Sequence, residues 1–131
     1  MATITETKKI LIVDDDPVVV LNLSSSLRQP GVEVVTAGKL ESAEAALDKY
    51  FFDLVVADIR MSGVLGVEGL ELLSYVKKNS PKTKVIVLSG SGSEDLRKKA
   101  LERGADQYYD KPIDIADLMH RVKEMGIYSV K

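Results

Sequence analysis

Residues 9–16 read Lys-Ile-Leu-Ile-Val-Asp-Asp-Asp, an apolar run that ends directly on three carboxylates. A short apolar run that does not alternate with polar residues is typical of a strand buried on both faces of a sheet. Because the carboxyl ends of parallel strands share one edge, the reactive groups that follow such runs are expected to meet in one crevice. Three further runs end in the same way: 53–57 before Asp58, 85–88 before Ser89, and 107–110 before Lys111.

Helix signals separate the apolar runs, and a further strand is predicted over Val32–Ala37. Asp16 followed by Pro17 predicts the start of the first helix, and Ser93 and Asp114 predict the starts of the fourth and fifth. Five strand–helix units joined by short links predict an α/β domain, with a parallel sheet covered by helices on both faces.

The composition limits the classes of protein to which the chain can belong. The chain has 131 residues, a net charge of −2, 45% apolar and 29% charged residues, and no cysteine. This length favours a single domain, and the charge balance gives no reason to expect nucleic-acid or membrane binding. Disulfides and thiolate chemistry are excluded by the absence of cysteine. We therefore expect a soluble, cytoplasmic protein.

The three acids Asp14, Asp15 and Asp58 are candidate ligands of a hard cation. Carboxylate oxygens are the ligands that Mg²⁺ prefers, and Mn²⁺ could take its place. Two carboxylates about 5 Å apart repel by roughly 3 kcal/mol at an effective dielectric constant near 20, so such a cluster is costly without a cation. Asp16 is assigned to the helix cap instead.

The chain resembles the receiver domain of two-component response regulators. The resemblance implies a flavodoxin-like (βα)5 fold, a doubly wound five-stranded parallel sheet with strand order 2-1-3-4-5. We expect the receiver domain over 9–126, preceded by a flexible, polar arm over 1–8 and followed by a C-terminal stub over 127–131. Five features carry the resemblance, in this order along the chain: Val13-Asp14-Asp15, Asp58-Ile-Arg-Met61, Leu88-Ser89-Gly90, Gly104-Ala105-Asp106-Gln107-Tyr108 and Lys111-Pro112.

This resemblance implies a role for each site residue. Asp58 would accept a phosphoryl group from a sensor histidine kinase or a histidine phosphotransfer protein, with Mg²⁺ and Lys111 balancing the charge. Ser89 would bind the phosphoryl oxygen, and the ring of Tyr108 would follow the movement of Ser89. The backbone carbonyl of Arg60 would join the metal shell, and the Arg60 side chain would hinder hydrolysis of the phosphoryl group.

The expected output is a change of the face made by the fourth helix, the fifth strand and the fifth helix. A downstream protein target or an output domain would read this face, and homodimerisation on phosphorylation is left open. In receivers the Lys-Pro bond that matches Lys111-Pro112 is usually cis. The chain departs from the family pattern after Asp58, where Ser62 replaces a proline and about three residues are inserted within 62–68.

Two other functions remain open from the sequence. One is an aspartyl-phosphate phosphatase of the haloacid-dehalogenase type, whose nucleophile motif Asp14-x-Asp16 would fit superficially, although the chain is short for that fold. The other is a receiver that binds proteins without being phosphorylated. A flavin site is disfavoured, because the first strand leads into acids rather than a Gly-rich phosphate loop.

Overall fold

A computed structural model describes residues 7–60, 68–90 and 93–128 of the chain. Strands and helices alternate along these ranges. The strands are β1 (Lys8–Val13), β2 (Val32–Ala37), β3 (Leu54–Asp58), β4 (Lys84–Ser89) and β5 (Gln107–Asp110). The helices are α1 (Pro17–Leu27), α2 (Leu40–Lys49), α3 (Glu68–Asn79), α4 (Glu94–Glu102) and α5 (Ile115–Glu124).

The five strands form one parallel sheet in the order β2-β1-β3-β4-β5, which confirms the predicted topology. The sheet order reverses between β1 and β3, since the chain adds β2 on one side of β1 and all later strands on the other. Open α/β sheets bind ligands at such a switch point, outside the carboxyl ends of the strands. A ligand-binding site is therefore expected at the carboxyl ends of β1 and β3.

Three predicted helix starts are confirmed by their caps. The side chain of Asp16 accepts the backbone N–H of Val18, and Ser93 accepts that of Leu96. Asp114 accepts the N–H of Asp117. These bonds satisfy N–H groups that have no partner within the helix.

The core has two halves, one on each face of the sheet. Alternate strand residues point to opposite faces. One half packs β1, β3 and β4 against α2, α3 and α4, and includes Leu11, Val55 and Val87. The other packs the same strands against α1 and α5, and includes Ile12 and Val56.

The strands and the packed chain extend slightly further than the sequence pattern indicated. Asp58 and Ser89 are the last residues of β3 and β4 rather than the residues after them, because the ladder pairs Asp58 with Leu88 and Ser89 with Asp110. Beyond Gly126, where the domain was expected to end, Ile127 and Tyr128 are buried. Lys8, assigned to the arm, already pairs with Val32 in the sheet.

Part of the predicted departure from the family pattern lies outside the described residues. The insertion was placed at 62–68, and of this stretch the structure describes only Glu68, the first residue of α3. Among the described helices, none is both long enough and apolar enough to pass through a bilayer.

Gly69, in the first turn of α3, lies against the backbone of β3. Its N–H donates to the carbonyl of Ile59 at 2.8 Å. A Cβ at this position would stand 2.2 Å from the carbonyl oxygen of Asp58 and 2.5 Å from Cα of Ile59. Neither neighbour is a flexible side chain, so only glycine allows this close approach.

We predict that Gly69→Ala destabilises the protein, although alanine is normally the better helix former. The backbone clash should lower the free energy of unfolding by about 3 kcal/mol, as measured by urea unfolding. Gly38→Ala is the control, because no atom lies within 4 Å of the added Cβ, and we expect a change within about 0.5 kcal/mol. Equal stability of the two variants would contradict the packing described for Gly69.

Candidate functional site

The carboxyl ends of the strands bring the predicted reactive residues together. Asp14 follows β1, Asp58 ends β3, Ser89 ends β4, and Lys111 follows β5. Asp14 and Lys111 are 97 residues apart in sequence, yet their charged groups are in contact. The crevice expected from the four apolar runs is therefore present.

Two of the three clustered acids are buried. Asp14 is 1% exposed and Asp58 is 5% exposed, whereas Asp15 faces solvent. One carboxylate oxygen from each of the three lies within 4.8 Å of the others. Burying two carboxylates this close together is unfavourable unless cations compensate their charge.

Lys111 supplies part of that compensation. Its ammonium donates to Oδ2 of Asp14 at 2.8 Å and lies 3.4 Å from Oδ2 of Asp58. Burial lowers the pKa of Lys111, but its hydrogen bond to Asp14 and the charges of both acids outweigh this, so the pKa is raised overall. The lysine therefore stays protonated and bridges the two buried acids.

The carboxyl group of Asp58 has a strongly altered affinity for protons. Burial, followed by the charge of Asp14, raises the pKa of Asp58 from 3.8 to about 6. The charge and hydrogen bond of Lys111 and the backbone N–H of Arg60 oppose this shift. Because Lys111 compensates only part of the negative charge, a further cation at this site would stabilise the ionised form.

Both carboxylate oxygens of Asp14 are bonded within the protein. Oδ1 of Asp14 accepts the N–H of Asp16 at 2.9 Å, and Oδ2 accepts the ammonium of Lys111. Both oxygens of Asp14 therefore already have protein donors. The sequence predicted Asp16 as a helix cap, which it is, but gave no signal that its N–H orients Asp14.

Ser89 ends β4, the strand beside β3, and Tyr108 lies on β5, the next strand of the sheet. Ser89 is 1% exposed, and Tyr108 packs against the half of the core that faces α2, α3 and α4. Burial raises the pKa of Tyr108; the hydroxyl of Ser89 opposes the shift and Asp110 adds to it. Tyr109 packs against the opposite half of the core, as the strand alternation predicted.

Two further predicted features lie beside the acids. Arg60 is exposed and follows β3 by two residues, so its backbone is at the edge of the cluster. The Lys111–Pro112 peptide bond is cis, as the resemblance implied.

The donor set fits a hard divalent cation. Three carboxylates offer oxygen ligands around one point, and Asp15 is exposed, as a ligand of a partly hydrated ion would be. Mg²⁺ usually keeps several waters and is bound by one or two carboxylates together with substrate phosphate oxygens. Among the residues that the structure describes, this cluster contains no nitrogen or sulfur ligand, which would favour zinc or copper.

A groove opens beside Lys111. It has a volume of about 690 Å³ and runs between α1 and residues 111–115. Its walls include Val19, Leu23 and Ile113. The groove therefore has largely apolar walls, and Lys111 is part of its lining.

We predict that Asp58→Asn stabilises the protein in metal-free buffer at neutral pH. The folded-state pKa of Asp58 is about 6 and its ordinary value is 3.8, so stability is highest below the ordinary value and falls as the pH rises through the folded-state value. At about 1.4 kcal/mol per pKa unit, the variant should exceed wild type by about 2–3 kcal/mol near pH 7.

Urea unfolding near pH 4 and near pH 7 measures this effect. The difference between Asp58→Asn and wild type should nearly vanish at about pH 4, where wild-type Asp58 is protonated. Adding Mg²⁺ near pH 7 should also reduce this difference in stability, because the cation stabilises the wild type, with three carboxylates, more than the variant, which has lost one. A pH-independent difference would contradict the described charge balance.

Comparison with known proteins agrees with this geometry. Residues 10–123 match the family described as "Response regulator receiver domain". The transcriptional regulatory protein PrrA of Mycobacterium tuberculosis is 37% identical over 125 residues, which cover 95% of this chain and 52% of PrrA. The chain thus spans about half the length of the curated relatives it matches.

Solved structures give the same result. A CheY-like response regulator receiver domain protein from Methanospirillum hungatei JF-1 is 34% identical, with a TM-score of 0.83 over 91% of this chain and 93% of that chain. The receiver domain of DrrB, solved in a BeF3-activated state, is 30% identical, with a TM-score of 0.81 over 93% of this chain and 99% of that chain.

The acidic cluster Asp14, Asp15 and Asp58 is typical of receivers that accept a phosphoryl group. Receivers are signalling domains rather than enzymes in the usual sense, and they partner with histidine kinases. The family match, the sheet order and the acids at the switch point lead to one conclusion: this chain belongs to the response regulator receiver domains of two-component signalling.

Proposed function

We propose that this chain accepts a phosphoryl group on Asp58 from the phosphohistidine of a sensor kinase or a histidine phosphotransfer protein. The observation that carries the proposal is the buried Asp58 carboxylate with Lys111 at 3.4 Å and two further acids beside it. Lys111 lies closer to Asp14, at 2.8 Å, than to Asp58, at 3.4 Å, so we take the less tightly held Asp58 as the nucleophile of the buried pair.

The transfer forms an acyl phosphate. A carboxylate oxygen of Asp58 attacks the phosphorus, the phosphorus–nitrogen bond breaks, and its electron pair leaves with the imidazole of the donor. Such transfers depend mainly on positioning and on neutralising the phosphoryl oxygens. Lys111 supplies a fixed positive charge for this purpose.

The residues proposed to hold Mg²⁺ are Asp14, Asp15, Asp58 and the backbone carbonyl of Arg60; Mn²⁺ could substitute. When bound, the ion neutralises charge on the phosphoryl oxygens. Asp14, held by the N–H of Asp16 and by Lys111, keeps its carboxylate in a fixed orientation. Asp15 is exposed, so its carboxylate can exchange bound water for the ion with no rearrangement of the core.

Ser89 and Tyr108 are proposed to convert phosphorylation into a change of surface. The Ser89 hydroxyl would donate to a phosphoryl oxygen on Asp58 and leave its present surroundings. The ring of Tyr108, whose pKa already responds to Ser89, would fill the vacated space. The face made by α4, β5 and α5 would then present a different surface to a downstream protein target, an output domain or a second copy of the chain.

The alternatives differ in where phosphate would be found. A haloacid-dehalogenase-type phosphatase would use Asp14 as its nucleophile, but Lys111 holds Asp14 at 2.8 Å, more closely than it holds Asp58 at 3.4 Å. A receiver that only binds proteins would need neither the raised pKa of Asp58 nor the adjacent ammonium. Both observations favour phosphorylation of Asp58.

We predict that acetyl phosphate with Mg²⁺ labels the protein on Asp58 alone, because this small donor needs no protein docking. Borohydride trapping followed by mass spectrometry identifies the labelled residue. Asp58→Asn should abolish labelling, and Asp95→Asn, on the exposed side of α4, should leave it unchanged. Label on Asp14 would support the phosphatase, and absence of label from wild type would support the binding-only receiver.

Arg60→Ala is predicted to shorten the lifetime of the phosphoryl group. The long side chain at the rim of the site hinders the attacking water, and a loss of about 0.5–1 kcal/mol from the barrier makes hydrolysis about two- to fivefold faster. Decay of the labelled protein after removal of acetyl phosphate measures the lifetime. Arg97→Ala, at an exposed position of α4, is the control and should leave the lifetime of the phosphoryl group unchanged. Equal lifetimes for Arg60→Ala and wild type would refute a protective role of Arg60.

A further inference from the structure

Asp16 lies at the junction between the acidic cluster and α1. It is exposed and comes directly after Asp14 and Asp15, the two acids that follow β1. The sequence predicted a helix cap at this position, and the cap is present. The backbone N–H of Asp16 also donates to Oδ1 of Asp14 at 2.9 Å. Asp16 therefore has one set of contacts with the helix and another with a proposed metal ligand.

Two hydrogen bonds fix Asp16 to the start of α1. Its side chain accepts the N–H of Val18 at 2.9 Å, and its carbonyl accepts the N–H of Val20 at 3.0 Å. Its backbone is extended, with φ −89° and ψ 111°, as is usual for a residue that caps a helix. Pro17 restricts the chain further, because its ring fixes φ at the first helical position. The peptide group that carries the Asp16 N–H is therefore held in a defined orientation relative to α1.

Asp14 is held at its backbone by the sheet and at its carboxylate by two donors. Its N–H donates to the carbonyl of Ala37 on β2 at 3.1 Å. Oδ1 accepts the N–H of Asp16, and Oδ2 accepts the ammonium of Lys111 at 2.8 Å. The first donor is part of a backbone that is bonded to a helix, whereas the second ends a flexible four-carbon side chain. Asp16 therefore provides the stiffer of the two restraints on the Asp14 carboxylate.

The ammonium of Lys111 is shared between the two buried acids. It also lies 3.4 Å from Oδ2 of Asp58, and the proposed function gives it the charge of an incoming phosphoryl group to balance. An ammonium drawn towards phosphoryl oxygens loosens its bond to Asp14. Of the donors that the structure describes on the Asp14 carboxylate, the N–H of Asp16 is then the one that still orients it.

We infer that Asp16 is a positioning residue of the metal site, because its cap on α1 holds the N–H that orients Asp14 towards the ion. This inference rests on the proposed function, which assigns Mg²⁺ to Asp14, Asp15 and Asp58. Among the described residues, the group of acids that could hold an ion does not include Asp16 itself. Hydrogen-bond donors behind metal ligands commonly change metal affinity by about 10- to 100-fold when they are lost.

Asp16→Ala and Asp16→Asn separate orientation from charge. Both remove one negative charge beside the acidic cluster, but asparagine caps a helix as well as aspartate does and alanine does not. We expect Asp16→Ala to weaken Mg²⁺ binding about tenfold. Asp16→Asn should weaken it less than about threefold, because the lost charge is exposed and screened by salt. NMR titration of the backbone amides of the full chain with MgCl₂ measures both affinities.

The control variant weakens α1 without changing its first turn. Ser25 is exposed in the second half of α1, and glycine at this position lowers the helix propensity. Ser25→Gly should be less stable than wild type in urea unfolding, and its Mg²⁺ affinity should equal that of wild type. If Asp16 served only to stabilise the helix, Asp16→Ala would behave in the same way as Ser25→Gly.

Labelling by acetyl phosphate gives a second measurement of the same role. In Asp16→Ala, the rate of labelling should reach half of its maximum at an Mg²⁺ concentration about tenfold higher than in wild type. At saturating Mg²⁺ the rate should return to the wild-type value, because Asp14 is then held by its bond to the ion. Asp16 would thus affect the binding of the ion and not the transfer step itself.

Two results would overturn the inference. One is an Mg²⁺ affinity of Asp16→Ala equal to that of wild type. The other is an equal loss of affinity in Asp16→Ala and Asp16→Asn, which would assign the effect to charge alone. Both results leave the phosphorylation of Asp58 intact. Wild type that binds Mg²⁺ but is not labelled would contradict the proposed function, and the titration would still decide on Asp16; wild type that does not bind Mg²⁺ would contradict both.

Discussion

One ammonium group holds together a pair of carboxylates that would otherwise repel each other inside the protein. Lys111 contacts Asp14 at 2.8 Å and Asp58 at 3.4 Å, and both acids are buried at the carboxyl edge of the sheet. The compensation is incomplete, because the pKa of Asp58 remains raised to about 6. A site that remains short of positive charge favours the binding of a divalent cation.

The two buried acids are chemically unequal although they look alike in sequence. Asp14 is held by donors on both oxygens, with Lys111 at 2.8 Å. Among the described residues, Asp58 receives a longer contact from Lys111, at 3.4 Å, and the N–H of Arg60. Its backbone is also pressed against the first turn of α3 at Gly69. The proposed phosphoryl acceptor thus lies where the end of β3, the start of α3 and the acidic cluster meet.

Most of the fold and of the site follows from local sequence signals. Apolar runs without alternation predicted the strands, and Asp16, Ser93 and Asp114 predicted helix starts. The convergence of Asp14, Asp58, Ser89 and Lys111 follows from one physical rule, that parallel strands end at a common edge. The strand order and the individual roles came from the resemblance to receivers, which the family match supports.

Other features depend on contacts that no local pattern encodes. The bonds from Arg103 to Leu70 and from Lys77 to Asp106 join residues 33 and 29 positions apart, and each looks like an ordinary surface cation in sequence. Tyr128 was assigned to a C-terminal stub, yet its hydroxyl donates to the carbonyl of Leu27 at 3.0 Å. That carbonyl belongs to the last turn of α1, where helices lack internal partners, so the segment after α5 completes the packing of α1.

The most direct test of the central claim is a crystal structure of the chain with Mg²⁺ and beryllofluoride. The account predicts a beryllium–oxygen bond to Asp58 and a metal ion held by Asp14, Asp15, Asp58 and the Arg60 carbonyl. It also predicts that the Lys111 ammonium contacts a fluorine atom and that Ser89 donates to another. Beryllofluoride bound to Asp14, or a metal ion held away from these acids, would contradict the assignment of Asp58 as the phosphoryl acceptor.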